Sequence, residues 1–155
     1  MAGRTRTLVR EAGGPGVSAS EDPKIDLNAR IDTIEEAYEF FLAYASQGLP
    51  SDAGSDTGRQ ARQYLQRCDT ALHGLGECLT GYVEQQGLDP VAPYRAFIGV
   101  IDRDARDSRA AIELVLAQTS ISSQIVDNLN ASIHLRALLT DLFLIDEVLK
   151  AHQRT

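Results

Sequence analysis

Tryptophan is absent from this chain of 155 residues, methionine occurs once, cysteine twice, and lysine only as Lys24 and Lys150. These shortages exclude several classes of protein. Cys68 and Cys78 fall ten residues apart in one predicted helix, which separates them by about 15 Å, beyond the roughly 7 Å that a disulfide can span. A chain with no internal bridge suits a reducing compartment, so a cytoplasmic location is expected. No apolar run approaches the roughly 18 residues of a bilayer-spanning helix, and no membrane span is expected. The start of the chain has Arg4, Arg6 and Arg10 but no apolar stretch of the secretory kind. Its Arg-rich, acid-poor character leaves a transit peptide as the other reading.

Positive charge is also short: 15 basic residues face 22 acidic ones, for a net charge of −7. A duplex-binding domain needs a basic face that displaces phosphate counterions. The sequence offers none, and no nucleic-acid partner is expected. The basic residues are nearly all arginine, which we attribute to coding composition. Sustained period-2 alternation is missing, as is any repeat of solenoid length.

What the sequence has is helical periodicity. Residues 1–24 hold Gly13-Gly14-Pro15-Gly16 and little apolar content, so a disordered tail is expected, with a partner-docking arm as the alternative. Residues 25–155 form the expected bundle. Helix A is predicted over 32–47, with Asp32-Thr33-Ile34-Glu35 as a capping box and Ile34, Tyr38, Phe41 and Ala45 on one face. An earlier turn near Asp26 would extend that stripe through Leu27. Gly48 suits the left-handed position after the helix. Helix B is predicted over 58–86, ended by Gly87, and helix C over 90–118, opened by Asp89-Pro90. Helix D follows over 121–152. Four amphipathic segments with short connections predict an all-α, up-down-up-down four-helix bundle.

Tests for chemistry come out empty. Di-iron bundles use Glu-x-x-His pairs, yet no acid stands three residues before His73, His134 or His152. The cysteines lack zinc or haem spacing. No metal, cofactor or catalytic residue is therefore expected. His134 lies on a polar helix side with Asp127 and Asn130 and reads as solvated. His73 is the one candidate for phosphotransfer, being predicted as exposed beside Gly74 and Gly76. Glu77 opposes that role, because negative charge beside a phosphohistidine is unfavourable. Gly74, Gly76, Gly81 and Gly99 each cost about 1 kcal/mol relative to alanine inside a helix. Tolerated surface glycine and close approach of another helix both remain as explanations.

Antiparallel pairing of helices C and D about residue 120 sets Asp104 level with Arg136 and Ser108 level with Ser132, and brings Cys68 level with Ser108. Arg136 falls on the core side, and an unpaired buried guanidinium is prohibitive, so a carboxylate partner is predicted, Asp104 first and Asp107 or Asp102 next. This polar belt either fixes register or binds a small polar ligand. Phe40 and Tyr44 sit off the core stripe of helix A, and Leu144 and Val148 make the end of helix D apolar on most sides. Such surfaces commonly associate. The sequence thus favours a non-catalytic adaptor, regulator or chaperone-like protein that binds a protein partner or itself as a homodimer. A small-molecule sensor or enzyme using Arg136 is the alternative, and a phosphorelay through His73 a third reading.

Overall fold

The computed structural model describes residues 22–153, and the expected tail lies almost wholly outside them. The described residues are all-α, with six helices and no strand: α1 (Pro23–Ala45), α2 (Asp56–Leu72), α3 (Leu75–Gln86), α4 (Ala92–Leu116), α5 (Ser123–Ala131) and α6 (His134–Gln153). Two of the four predicted helices are broken, which corrects the simple four-helix expectation. No helix among the described residues is long and apolar enough to cross a membrane.

Helix α1 begins well before residue 32. Asp22 caps it, its carboxylate accepting from the Lys24 N–H at 3.0 Å, and Pro23 takes the first turn. A proline there sacrifices only an N–H that would be orphaned anyway. Asp32 is consequently mid-helix, and the capping-box reading fails. Beyond the C-cap Ser46, Gly48 adopts the left-handed conformation at φ +66°.

The predicted helix B divides at His73-Gly74, where Gly74 has φ +81°. A helix end leaves carbonyls without internal partners. Arg30 of α1 answers that need, donating through Nη1 to the Ala71 carbonyl at 2.9 Å and the His73 carbonyl at 2.5 Å. Asp26 holds the same guanidinium from the other side at 3.1 Å. Gly76 then lets α3 approach α4, since a Cβ there would lie 2.8 Å from the Asp102 carboxylate. Of the two glycine explanations, close approach applies at Gly76, while a Cβ on Gly99 would meet nothing within 4 Å.

Helix α4 starts at Ala92, two residues later than predicted, after a cis Asp89–Pro90 bond. Predicted helix D divides at Ser132-Ile133. Ser132 ends α5, its hydroxyl donating back to the Leu129 carbonyl at 2.6 Å, and Ile133 sits at φ +62°. A β-branched residue there clashes with its own backbone.

Helix α1 is the hub, packing on α2, α3, α5 and α6, while α4 covers α2, α3 and α6. Ile34, Phe41, Leu65, Leu79, Ile112 and Leu142 are among its buried core side chains. At one end, two loops are tied together. Asp52 is buried, its Oδ1 accepting from the Ile121 N–H at 2.7 Å and its Oδ2 from Arg62 Nε at 2.6 Å. Arg62 also donates to the carbonyls of Leu116 at 3.3 Å and Gln118 at 2.8 Å. Burial pushes the Asp52 carboxyl up, but the Ile121 N–H and the Arg62 guanidinium outweigh it, and the group sits below the usual carboxylate range. Gly58 is required beneath this tie, because a Cβ would overlap the Asp52 carbonyl.

Two outcomes are expected. Asp52→Ala strands the buried Ile121 N–H and the Arg62 guanidinium and lowers stability by about 2–4 kcal/mol in urea melts. Ile133→Gly relieves the left-handed strain at an exposed position and raises stability by about 1 kcal/mol in the same assay.

Candidate functional site

The predicted polar belt does not assemble. Arg136 is exposed, not core-facing, and shares a surface hollow with Ile133, Ala137, Thr140 and Asp141. Ser132 caps α5, Cys68 lies in the core, and Ser108 is buried with an unpartnered hydroxyl. Burial pushes the Cys68 thiol up to about 12, which makes it a poor nucleophile. Cys68 and Cys78 are both free. The break at Ser132-Ile133 is the physical reason for the failure, because it resets the pairing register of α6 against α4.

Asp104 meets a carboxyl group instead. Its neighbour across the α4–α6 seam is Asp141, which is pushed up to about 7 by burial, then by a hydrogen bond and repulsion from Asp104. Neighbouring carboxyl groups cannot both ionise cheaply, and the cost falls on Asp141. Asp141 was missed at the sequence level; it lies five residues past Arg136, on the same helix.

His73 stands at the α2–α3 break, not on a helix face. Its Nδ1 is 2.8 Å from Arg109 Nη1. Arginine can only donate, so Nδ1 accepts in this contact. The Nδ1 lone pair is thus engaged by a guanidinium, which counts against the relay reading. Arg109 is itself anchored by Asp69 at 3.1 Å and Glu113 at 3.0 Å. The surrounding cleft of about 600 Å³ also contains Arg95, Arg106 and Asp102. Helix α3 starts here without a side-chain cap, and Asp102, packed on Gly76, supplies the negative charge its N-terminus favours. Asp102 is also paired with Arg106 at 3.0 Å.

The aromatic pair on α1 is not a free surface. Tyr44 is fully buried, its hydroxyl donating to the Ile121 carbonyl at 2.8 Å. Phe40 is half-buried, with its ring stacked on Tyr64 at 4.5 Å between centroids. Both are covered because α1 is packed on several sides, which a single-stripe reading of the helix did not anticipate.

The end of α6 differs. Leu144 is 54% exposed and Val148 41% exposed. They face Pro90, Pro93, Tyr94 and Phe97 across a hollow of about 360 Å³. Tyr94 and Phe97, on the apolar stripe of helix C, line the rim of this groove and are only half-buried. Phe143, beside Leu144, is 52% exposed. Among the described residues, no group of three or more His, Cys, Asp and Glu side chains could hold a metal ion. The chain matched no protein-family model, no curated protein and no solved structure.

The acid pair gives a pH signature. An unfolded Asp141 titrates near the ordinary 3.8 and the folded one near 7. Between those values the native state holds a proton that the unfolded state has lost, so this group's contribution falls as pH rises through the window. Asp141→Asn should therefore flatten the decline of melting temperature between about pH 4 and pH 7.5, and should exceed the wild type at the upper end.

Proposed function

We propose that this chain is a non-catalytic protein-interaction module whose α4–α6 groove receives an amphipathic helix. One observation carries the reading: large apolar side chains of two adjacent helices stand partly exposed around a single hollow. Exposed apolar area of this kind lowers its free energy when covered, at roughly 25 cal/mol per Å². A helix is the natural cover, because residues at i and i+3 or i+4 project together into a groove between two helices. The chemistry elsewhere supports a binding role over an enzymatic one: the buried thiol is unreactive, and the His73 Nδ1 lone pair is engaged by Arg109. Counting α2–α3 and α5–α6 each as one bent rod, the chain still runs as a four-rod, up-and-down scaffold in this reading, with a cytoplasmic setting.

A second reading keeps self-association, as a homodimer through the same groove. The route through Phe40 and Tyr44 drops out, because Tyr44 is inside the protein. The end of α6 remains, with Phe143, Leu144 and Val148 all exposed.

The test is a paired charge substitution. Leu144→Asp with Val148→Asp should leave circular dichroism unchanged and move stability by no more than about 0.5 kcal/mol, as surface changes do. The same variant should lose most of the fluorescence that the wild type gives with an apolar dye such as anilinonaphthalene sulfonate. A wild type that leaves the dye dark would refute the open groove. Light scattering of both proteins reads the self-association alternative directly.

A further inference from the structure

We infer that Leu8 and Val9, which precede the described residues, lie in the α4–α6 groove of their own chain and compete there with the partner helix. This rests on the groove reading above and adds its regulation. The placement comes from where the described chain begins. Pro23, at the start of α1, leans on α3: its carbonyl accepts from the Cys78 thiol at 3.6 Å, and its ring lies 3.9 Å from where a Cβ on Gly81 would stand. The end of α6 meets the same helix, with Gln153 donating to the Tyr82 hydroxyl at 2.7 Å. Helix α3 then leads through Gly87 to Pro90 and the start of α4. The start of α1 and the apolar hollow therefore share one end of the bundle. From Gly81 to Pro90, five helical residues and four of connection span at most about 21 Å. Val9 stands thirteen residues before Asp22, a reach of up to about 43 Å.

Chemistry selects this occupant as well as reach. Every side chain lining the hollow is apolar or aromatic, whereas Asp26, Arg30 and Arg67 line the hollow between α1 and α2. Ahead of Asp22, Leu8-Val9 is the only pair of adjacent large aliphatic residues. Arg4, Arg6 and Arg10 flank it, so residues 1–10 hold three positive charges and no acid, against −8 for residues 22–155. Opposite charge draws the segment toward the rest of the chain. A second copy offers the same pair, but the tether holds the chain's own pair at an effective concentration of about millimolar. Two aliphatic side chains on a surface bind with about millimolar affinity, so covered and open grooves are comparably populated. A partner helix with a longer apolar face displaces the segment, its apparent affinity lowered about twofold by the competition.

Photo-crosslinking of the full chain, with a benzophenone-bearing phenylalanine in place of Leu8, tests this. Mass spectrometry of the digested monomer should find the adduct on residues 90–97 or 144–148. Leu144→Asp with Val148→Asp should remove most of it. In the full chain, Leu8→Ser with Val9→Ser should raise anilinonaphthalene sulfonate fluorescence about twofold, by emptying the covered half of the grooves. Adducts elsewhere, or a dye signal unchanged by Leu8→Ser with Val9→Ser while the wild type still stains, would overturn the inference and leave the groove standing. A chain dark to the dye both as wild type and as Leu8→Ser with Val9→Ser would overturn the two together. An adduct between two chains, at a yield that grows with protein concentration, would assign the groove to a second copy's segment and overturn the own-chain occupant.

Discussion

A single buried carboxylate joins the two loops from which α2 and α5 start. Asp52 sits in the connection between α1 and α2 and binds the backbone of the connection between α4 and α5, while Arg62 of α2 closes the arrangement by binding the end of α4. Ser123 adds a parallel tie, its hydroxyl donating to the Tyr44 carbonyl at 2.7 Å and accepting from the Leu49 N–H at 2.9 Å. Leu49 and Ser123 also pair through the backbone at 2.9 Å. Two loops distant in sequence thereby become one polar plate at the end of the helices. Without it, α5 would have no fixed starting point.

That plate explains where strain can be tolerated. With α5 fixed at its start by Ser123 and along its length by packing on α1, and with α6 packed on α4, the joint between them must accommodate whatever angle remains. Ile133 accepts a left-handed backbone there. The unfavourable conformation is local, while the burial of Leu129, Leu135, Leu138 and Leu142 on either side of it is extensive. Burial of four leucine-class side chains is worth several kcal/mol against a backbone cost of one or two.

Much of this was legible in the amino-acid sequence, because repeated apolar residues at helical spacing report directly on which faces are covered. The all-α class and the regions of helix follow from that, as does Gly48 at the end of α1. The breaks were not legible. The stripe of predicted helix B runs on both sides of Gly74, and what ends α2 there is Arg30, more than forty residues earlier in the chain. Periodicity carries no information about a guanidinium arriving from another helix. The placement of Arg136 failed for a related reason: pairing residues across a turn assumes unbroken rods, and the Ser132-Ile133 joint shifted the partner of Asp104 to Asp141. Leu144 and Val148 were identifiable at the sequence level because an apolar residue outside the core stripe needs no register to be noticed. Their neighbours Tyr94 and Phe97 could not be told from core residues without knowing where α6 crosses α4.

Arg30 also shows where the bend between α2 and α3 is encoded. It joins α1 to the carbonyls at the corner between α2 and α3, so the bend in that rod is written partly in a side chain that belongs to a third helix. From the other side α4 holds the same corner, with Asp102 packed on Gly76 and Arg109 joining Asp69 to His73. The bend, and the cleft in which His73 and Arg109 face each other, therefore belong to the packed arrangement of four helices and to no one of them alone.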